Sequence, residues 1–178
     1  MSYFAAAAIR NDSGWNIAEL DLIGVEDVDD AADRLRDIDE GDLRLLFVED
    51  NDEYLVVLCI NEKDDLRVFG SDAAYSEESS LGAALLGDLE PEKPLDLDDE
   101  LSSDDDDEDE RPAADPDSNP IGDADLLSEF GISKERLLAM CTREGMLPSE
   151  VTAGICKFLG CVEEFEEFRD RHGINAFP

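Results

Sequence analysis

The chain has 178 residues, enough for one medium domain or two small ones, and 42% of them are apolar, so a packed core can form. Its 49 acids against 14 bases leave a formal net charge of -35. A polyanion of this kind repels phosphate backbones and anionic lipid heads, which excludes direct binding to nucleic acid or membrane and favours cationic protein partners.

The acids are unevenly spread. Residues 1–87 hold 22 acids and 6 bases, residues 88–118 hold 16 and 2, and residues 119–178 hold 11 and 6. With no apolar run near the roughly 18 residues of a membrane span and no basic, apolar leader, a soluble cytoplasmic protein is expected. Cys59, Cys141, Cys156 and Cys161 are then free thiols.

In chain order, Tyr3 to Ile9 reads as a strand, Asn11 to Gly14 as a turn, and Trp15, Ile17, Leu20 and Leu22 as the returning half of a hairpin. From Val25 the period changes. Val28, Ala31, Ala32, Leu35 and Ile38 recur at helical spacing, and Gly41 marks a stop. Leu43 to Val48 and Tyr54 to Ile60 are strands joined across Glu49 to Glu53, which is expected to be a solvated acidic turn. Leu66 to Phe69 is a further short strand, and Ser80 is placed as the cap of a helix holding Leu81, Ala84, Leu85 and Leu86. The order β-β-α-β-β-β-α predicts an α+β domain over residues 1–87, an antiparallel sheet with helices on one face.

From Asp88 the pattern dissolves. Prolines interrupt every possible helix, and Asp104, Asp105, Asp106, Asp107, Glu108, Asp109 and Glu110 form an unbroken run of seven acids. Residues 88–121 are predicted to be a disordered acidic linker that extends by self-repulsion and holds its flanks apart.

A small helical bundle is predicted over residues 122–172, followed by a loose tail over residues 173–178. Asp123 would cap a first helix ending at Gly131, Ser133 a second ending at Gly145, and Pro148 would open a third ending at Gly160. Val162, Phe165 and Phe168 mark a fourth. Met146 and Leu147 fall between helices and, with Asp104 to Glu110, are the candidate partner-binding residues.

Chemistry is sparse. His172 is the single histidine and sits in a charged tail without a visible orienting partner, a poor basis for nucleophilic catalysis. Cys141, Cys156, Cys161 and His172 could formally hold zinc, but no C-x-x-C pair exists, so no metal is assigned. Neither a G-x-x-x-x-G-K-S/T run nor G-x-G-x-x-G is present, so no cofactor is assigned either.

Met1 to Ala6, Gly14-Trp15 with Glu19 to Leu22, Leu46 to Tyr54, Arg67 to Ala73, Gly122 to Leu127, Cys141, Glu144 to Pro148 and Val151 recur in order. In these segments the chain resembles the tRNA adenosine deaminase-associated proteins of high-GC Gram-positive bacteria. The resemblance implies a link to a tRNA-editing deaminase but carries no site residues across. The chain is not itself that deaminase, because the H-x-E and P-C-x-x-C segments of a zinc deaminase are both missing. The function expected is that of a non-catalytic accessory protein. It would bind a cationic macromolecule, first a tRNA adenosine deaminase, through a linker that mimics nucleic acid. The alternative is a structural or oligomeric scaffold whose acidity serves solubility only.

Overall fold

The computed structural model describes residues 3–50, 53–87, 120–141 and 147–171. Asp104 to Glu110, Met146 and His172 lie outside these residues, as does nearly all of the expected linker.

Strand β1 (Tyr3–Asn11) turns on Asp12-Ser13, where the Asn11 side chain accepts from the Ser13 amide at 2.9 Å. Gly14, at φ +116°, takes a conformation open to glycine as β2 (Gly14–Glu19) begins. Helix α1 (Val28–Ile38) is capped by Asp27, whose carboxylate accepts from Asp30 N at 2.8 Å, and it buries Ala31, Ala32 and Leu35. Then come β3 (Leu43–Asp50), β4 (Tyr54–Ile60) and β5 (Leu66–Gly70). Two short helices follow, α2 (Tyr75–Glu78) and α3 (Ser80–Leu86). The cap of α3 is Ser79, one residue earlier than the sequence pattern suggests, because α2 ends there and leaves its hydroxyl facing Gly82 N.

All pairings are antiparallel, in the order β2-β1-β3-β4-β5-β6. The last strand, β6 (Ile121–Gly122), is unexpected. It pairs with Gly70 and Phe69 of β5, after which Asp123 N donates to Val68 O at 2.8 Å. Capture of this backbone by the sheet edge displaces the first predicted helix of the C-terminal region, which is only a 3-10 turn over Ser128–Phe130 closed by Gly131 at φ +96°. The remaining predicted helices are present: α4 (Lys134–Cys141), whose expected end at Gly145 lies outside the described residues, α5 (Pro148–Leu159) and α6 (Val162–Arg171). Ser133 Oγ accepts from Arg136 N, and Pro148 sits in the first turn of α5.

The separation of the two ordered regions that a self-repelling linker predicts does not hold. Side chains alternate across a strand, so the sheet has two faces. On one, Ala5, Ala7, Leu46, Val48, Val56 and Leu58 pack with α1, Tyr75 and Leu85. On the other, Ala6, Ala8, Leu45, Phe47, Val57 and Cys59 pack with Leu127, Leu137, Ile155, Phe165 and Phe168 from the C-terminal helices. The result is three layers, helix on sheet on helix, in which α4 to α6 have no core separate from the sheet.

Phe165 anchors the second face, with its ring edge-on to Phe47 at 5.7 Å and to Phe4 at 6.2 Å. Phe165→Ala is therefore expected to cost about 3–5 kcal/mol, measured by urea unfolding. Trp15 fluorescence and far-UV circular dichroism should shift together. A helical transition that moves alone, leaving the sheet signal in place, would contradict the shared core.

Candidate functional site

Of the residues singled out for partner binding, Leu147 alone can be placed. It is half-buried at the N-cap of α5, and its amide donates to Glu150 Oε2 at 2.9 Å. This fits a helix-starting role as well as an exposed contact.

The structure instead draws attention to Glu49 and Asp50, which are not part of a solvated turn. They are the last residues of β3, opposite Leu55 and Tyr54 of β4 and Phe4 and Tyr3 of β1, and they are only 8% and 4% exposed. Being consecutive in a strand, they point to opposite faces.

Glu49 faces the C-terminal helices. Its Oε1 accepts from Arg169 Nη2 at 2.5 Å, a pair 120 residues apart in sequence and 2% exposed on the arginine side. The guanidinium lies 4.5 Å from the Phe4 ring centre and 5.1 Å from that of Phe165. Two neighbouring aromatic rings and a hydrogen-bonded carboxylate are an environment in which a buried guanidinium is tolerated. The helical period of α6 sets this up, since Phe165, Phe168 and Arg169 share its buried side.

Asp50 faces the other layer and has no such cation among the described residues. Its Oδ2 accepts from the Tyr75 hydroxyl at 2.8 Å, while Oδ1 is buried without a hydrogen-bond partner among the described residues. Tyr75 stacks on Tyr54 at 4.9 Å, and the Tyr54 hydroxyl donates to Glu78. Gly82 holds Tyr75 in position, because a Cβ there would come within 2.1 Å of the Tyr75 carbonyl oxygen. A cleft of about 280 Å³ opens beside Asp50, lined by Tyr3, Leu22 to Val25 and Ser79 to Leu81.

Several protons in the fold are held tightly. The Tyr54 hydroxyl resists ionisation because Glu78 accepts from it, and Tyr75 because it is buried and bonded to Asp50. Burial pushes the Cys59 and Cys141 thiols up to about 12. The Cys156 thiol is also raised, by its hydrogen bond with Cys161 and then by burial. Thiols held protonated are poor nucleophiles and poor metal ligands. Among the described residues no group of three or more His, Cys, Asp or Glu side chains converges as a metal site, and no helix is long and apolar enough to cross a membrane.

Two predictions follow from these environments. Arg169→Met strands a buried carboxylate and should cost about 3–5 kcal/mol in urea unfolding. Adding Glu49→Leu should recover most of that loss, and a double variant no better than the single one would contradict the pairing. The second concerns pH. Cys59 ionises near 9.0 when exposed but near 12 when folded, and Tyr54 and Tyr75 shift in the same direction from 10.0. Unfolding then releases protons, so stability is full below about pH 9 and falls as pH rises toward 12. The urea midpoint should drop steadily across that window.

A family model described as Rv3753c-like tRNA adenosine deaminase-associated protein matches residues 3–162, a span that includes every strand of the sheet as well as α4 and α5. No curated protein and no solved structure matches the chain.

Proposed function

The chain belongs to the Rv3753c-like tRNA adenosine deaminase-associated protein family, and on that premise we propose that it is a non-catalytic accessory protein. Its partner is a cationic macromolecule, with a tRNA adenosine deaminase as the first candidate. The observation that carries this is the charge: 49 acids against 14 bases. An enzyme that holds tRNA must present bases to phosphates, and a polyanion is complementary to that surface. The run Asp104 to Glu110 supplies the densest charge, and as a nucleic-acid mimic it would occupy the basic tRNA-binding surface.

Long-range attraction of this kind speeds encounter and sets specificity more than it deepens affinity, so a second, short-range anchor is needed. The environment of the thiols supports a role without catalysis. Cys59, Cys141 and Cys156 are all kept in the protonated form by their surroundings.

The test is capture from native lysate by the tagged full chain, at low and then raised salt, with mass spectrometry of what is retained. A tRNA adenosine deaminase recovered at low salt and released at high salt is expected. Neutralising Asp104 to Glu110 as Asn and Gln should lower its recovery about tenfold or more, since each lost charge weakens the attraction. Bait recovered alone as a defined oligomer would instead favour a scaffold whose acidity serves solubility.

A further inference from the structure

Two buried carboxylates sit side by side at the end of β3, and among the described residues only one of them has a cation. Glu49 is neutralised by Arg169, whereas Asp50 keeps one oxygen buried and without a hydrogen-bond partner among the described residues. A carboxylate oxygen removed from water without a donor is costly, and the cost is relieved when a cation or a hydrogen-bond donor enters. Asp50 is among the residues lining the cleft of about 280 Å³, which places a solvent-filled space beside this carboxylate.

The chemistry of the walls narrows what that donor is. Among the described residues, the polar side chains lining the cleft are the Asp50 carboxylate and the hydroxyls of Tyr3, Ser79 and Ser80, all able to accept. Two of them have further acceptor capacity engaged locally: Tyr3 Oη accepts from Leu22 N at 3.2 Å and Ser79 Oγ from Gly82 N at 3.4 Å. Among the described residues no basic side chain lines the cleft. The remaining walls are apolar, from Leu22, Val25 and Leu81, and Ile23 stands at the rim 75% exposed, the most exposed large apolar side chain among the described residues. A second cleft makes the contrast, for there Arg10, Lys63 and Arg67 already face Asp42, Asp65 and Glu129, with Arg10 and Asp42 paired at 3.3 Å.

We propose that the cleft beside Asp50 is a receptor for an alkylammonium group, a lysine side chain presented by the protein partner. Its ammonium would meet Asp50 Oδ1 and the neighbouring hydroxyls, and its methylene stem would lie against Leu22, Val25 and Ile23. An ammonium carries three donors and no acceptor, which suits a carboxylate and neighbouring hydroxyl oxygens, and the four-carbon stem suits apolar walls. The assignment of the amine to a partner rests on the accessory function proposed above; the affinity of the cleft for an alkylammonium does not. The site supplies the short-range anchor that a charge-driven encounter lacks.

The test uses the full chain labelled with nitrogen-15 and the probe Nα-acetyl-lysine methylamide, with the neutral Nα-acetyl-norleucine methylamide as control. Amide shifts at Ile23, Gly24 and Ser79 to Leu81 are expected with the lysine probe and not with the control. Asp50→Asn should weaken the probe about tenfold or more. Because Asp50 is buried, Ser80→Lys at an exposed position serves as the second variant. It places an ammonium at the mouth of the cleft and should weaken the probe to a similar degree while the fold is kept.

Absence of shifts at these amides under saturating probe, or equal response to the neutral analogue, overturns the proposal. So does a folded Ser80→Lys variant that binds as the parent does. Capture of the deaminase by both parent and Ser80→Lys to the same extent overturns the docking role of the cleft. Probe binding without any capture supports the cleft and sinks the accessory function, so the two failures are told apart.

Discussion

A sheet whose central strands are apolar on both sides can exist only between two covering layers, and every other feature of this fold answers to that constraint. Six of the seven residues of β4 and seven of the eight in β3 are buried. Helices α1 and α3 can cover one face only. Without α4 to α6 on the other, Ala6, Leu45, Phe47, Val57 and Cys59 would face water, at roughly 25 cal/mol for each Å² of apolar surface exposed. The C-terminal helices are therefore a structural layer of the sheet domain, and β6 stitches their start to its edge.

Within that arrangement the end of β3 concentrates the unusual electrostatics. Period-two geometry sends Glu49 and Asp50 to opposite layers, and the two layers treat them differently. The C-terminal layer brings Arg169 against Phe4 and Phe165 to meet Glu49, tying α6 to β1 and β3 at once. The opposite layer brings only hydroxyls, from Tyr75 directly and from Tyr3 and Ser79 nearby. One carboxylate is thus consumed by the fold, and the other is left for chemistry beyond it. A buried ion pair and a buried carboxylate with one oxygen lacking a partner among the described residues are physically distinct.

The charge of the chain and the packing of its core act on different length scales. The excess of acids creates a field extending about a Debye length, roughly 8 Å in physiological salt, which draws in cationic partners without choosing a contact. Choice requires a shaped site where water is displaced, and among the described residues the cleft beside Asp50 combines shape, apolar walls and a carboxylate acceptor. Family membership and polyanionic character support the proposed partner, and the proposed alkylammonium cleft would add to them through a separate physical route.

Local patterns determined much of the architecture. The turn at Asn11 to Gly14, the helical period from Val28 to Ile38, the strands to either side of residues 51–53 and the caps Ser133, Pro148 and Gly160 are decided by residues near in sequence, so they were legible there. Docking of the C-terminal helices was not read, although a signal was present: Leu55 to Ile60 and Leu45 to Val48 do not alternate with polar residues, as a strand with one wet face would. The strand at Ile121–Gly122 had no such signal, because two residues are too few for a period and the partner edge is supplied by Phe69 and Gly70. Nor could sequence separate Glu49 and Asp50 from the acids that follow them, since five polar residues in a row look like one solvated turn. Only tertiary packing decided their fates, by placing Arg169 120 residues away against the first and the Tyr75 hydroxyl against the second. Long-range pairing of that kind depends on which faces meet, and a linear string of residues carries no record of it until the sheet and its two layers are assembled.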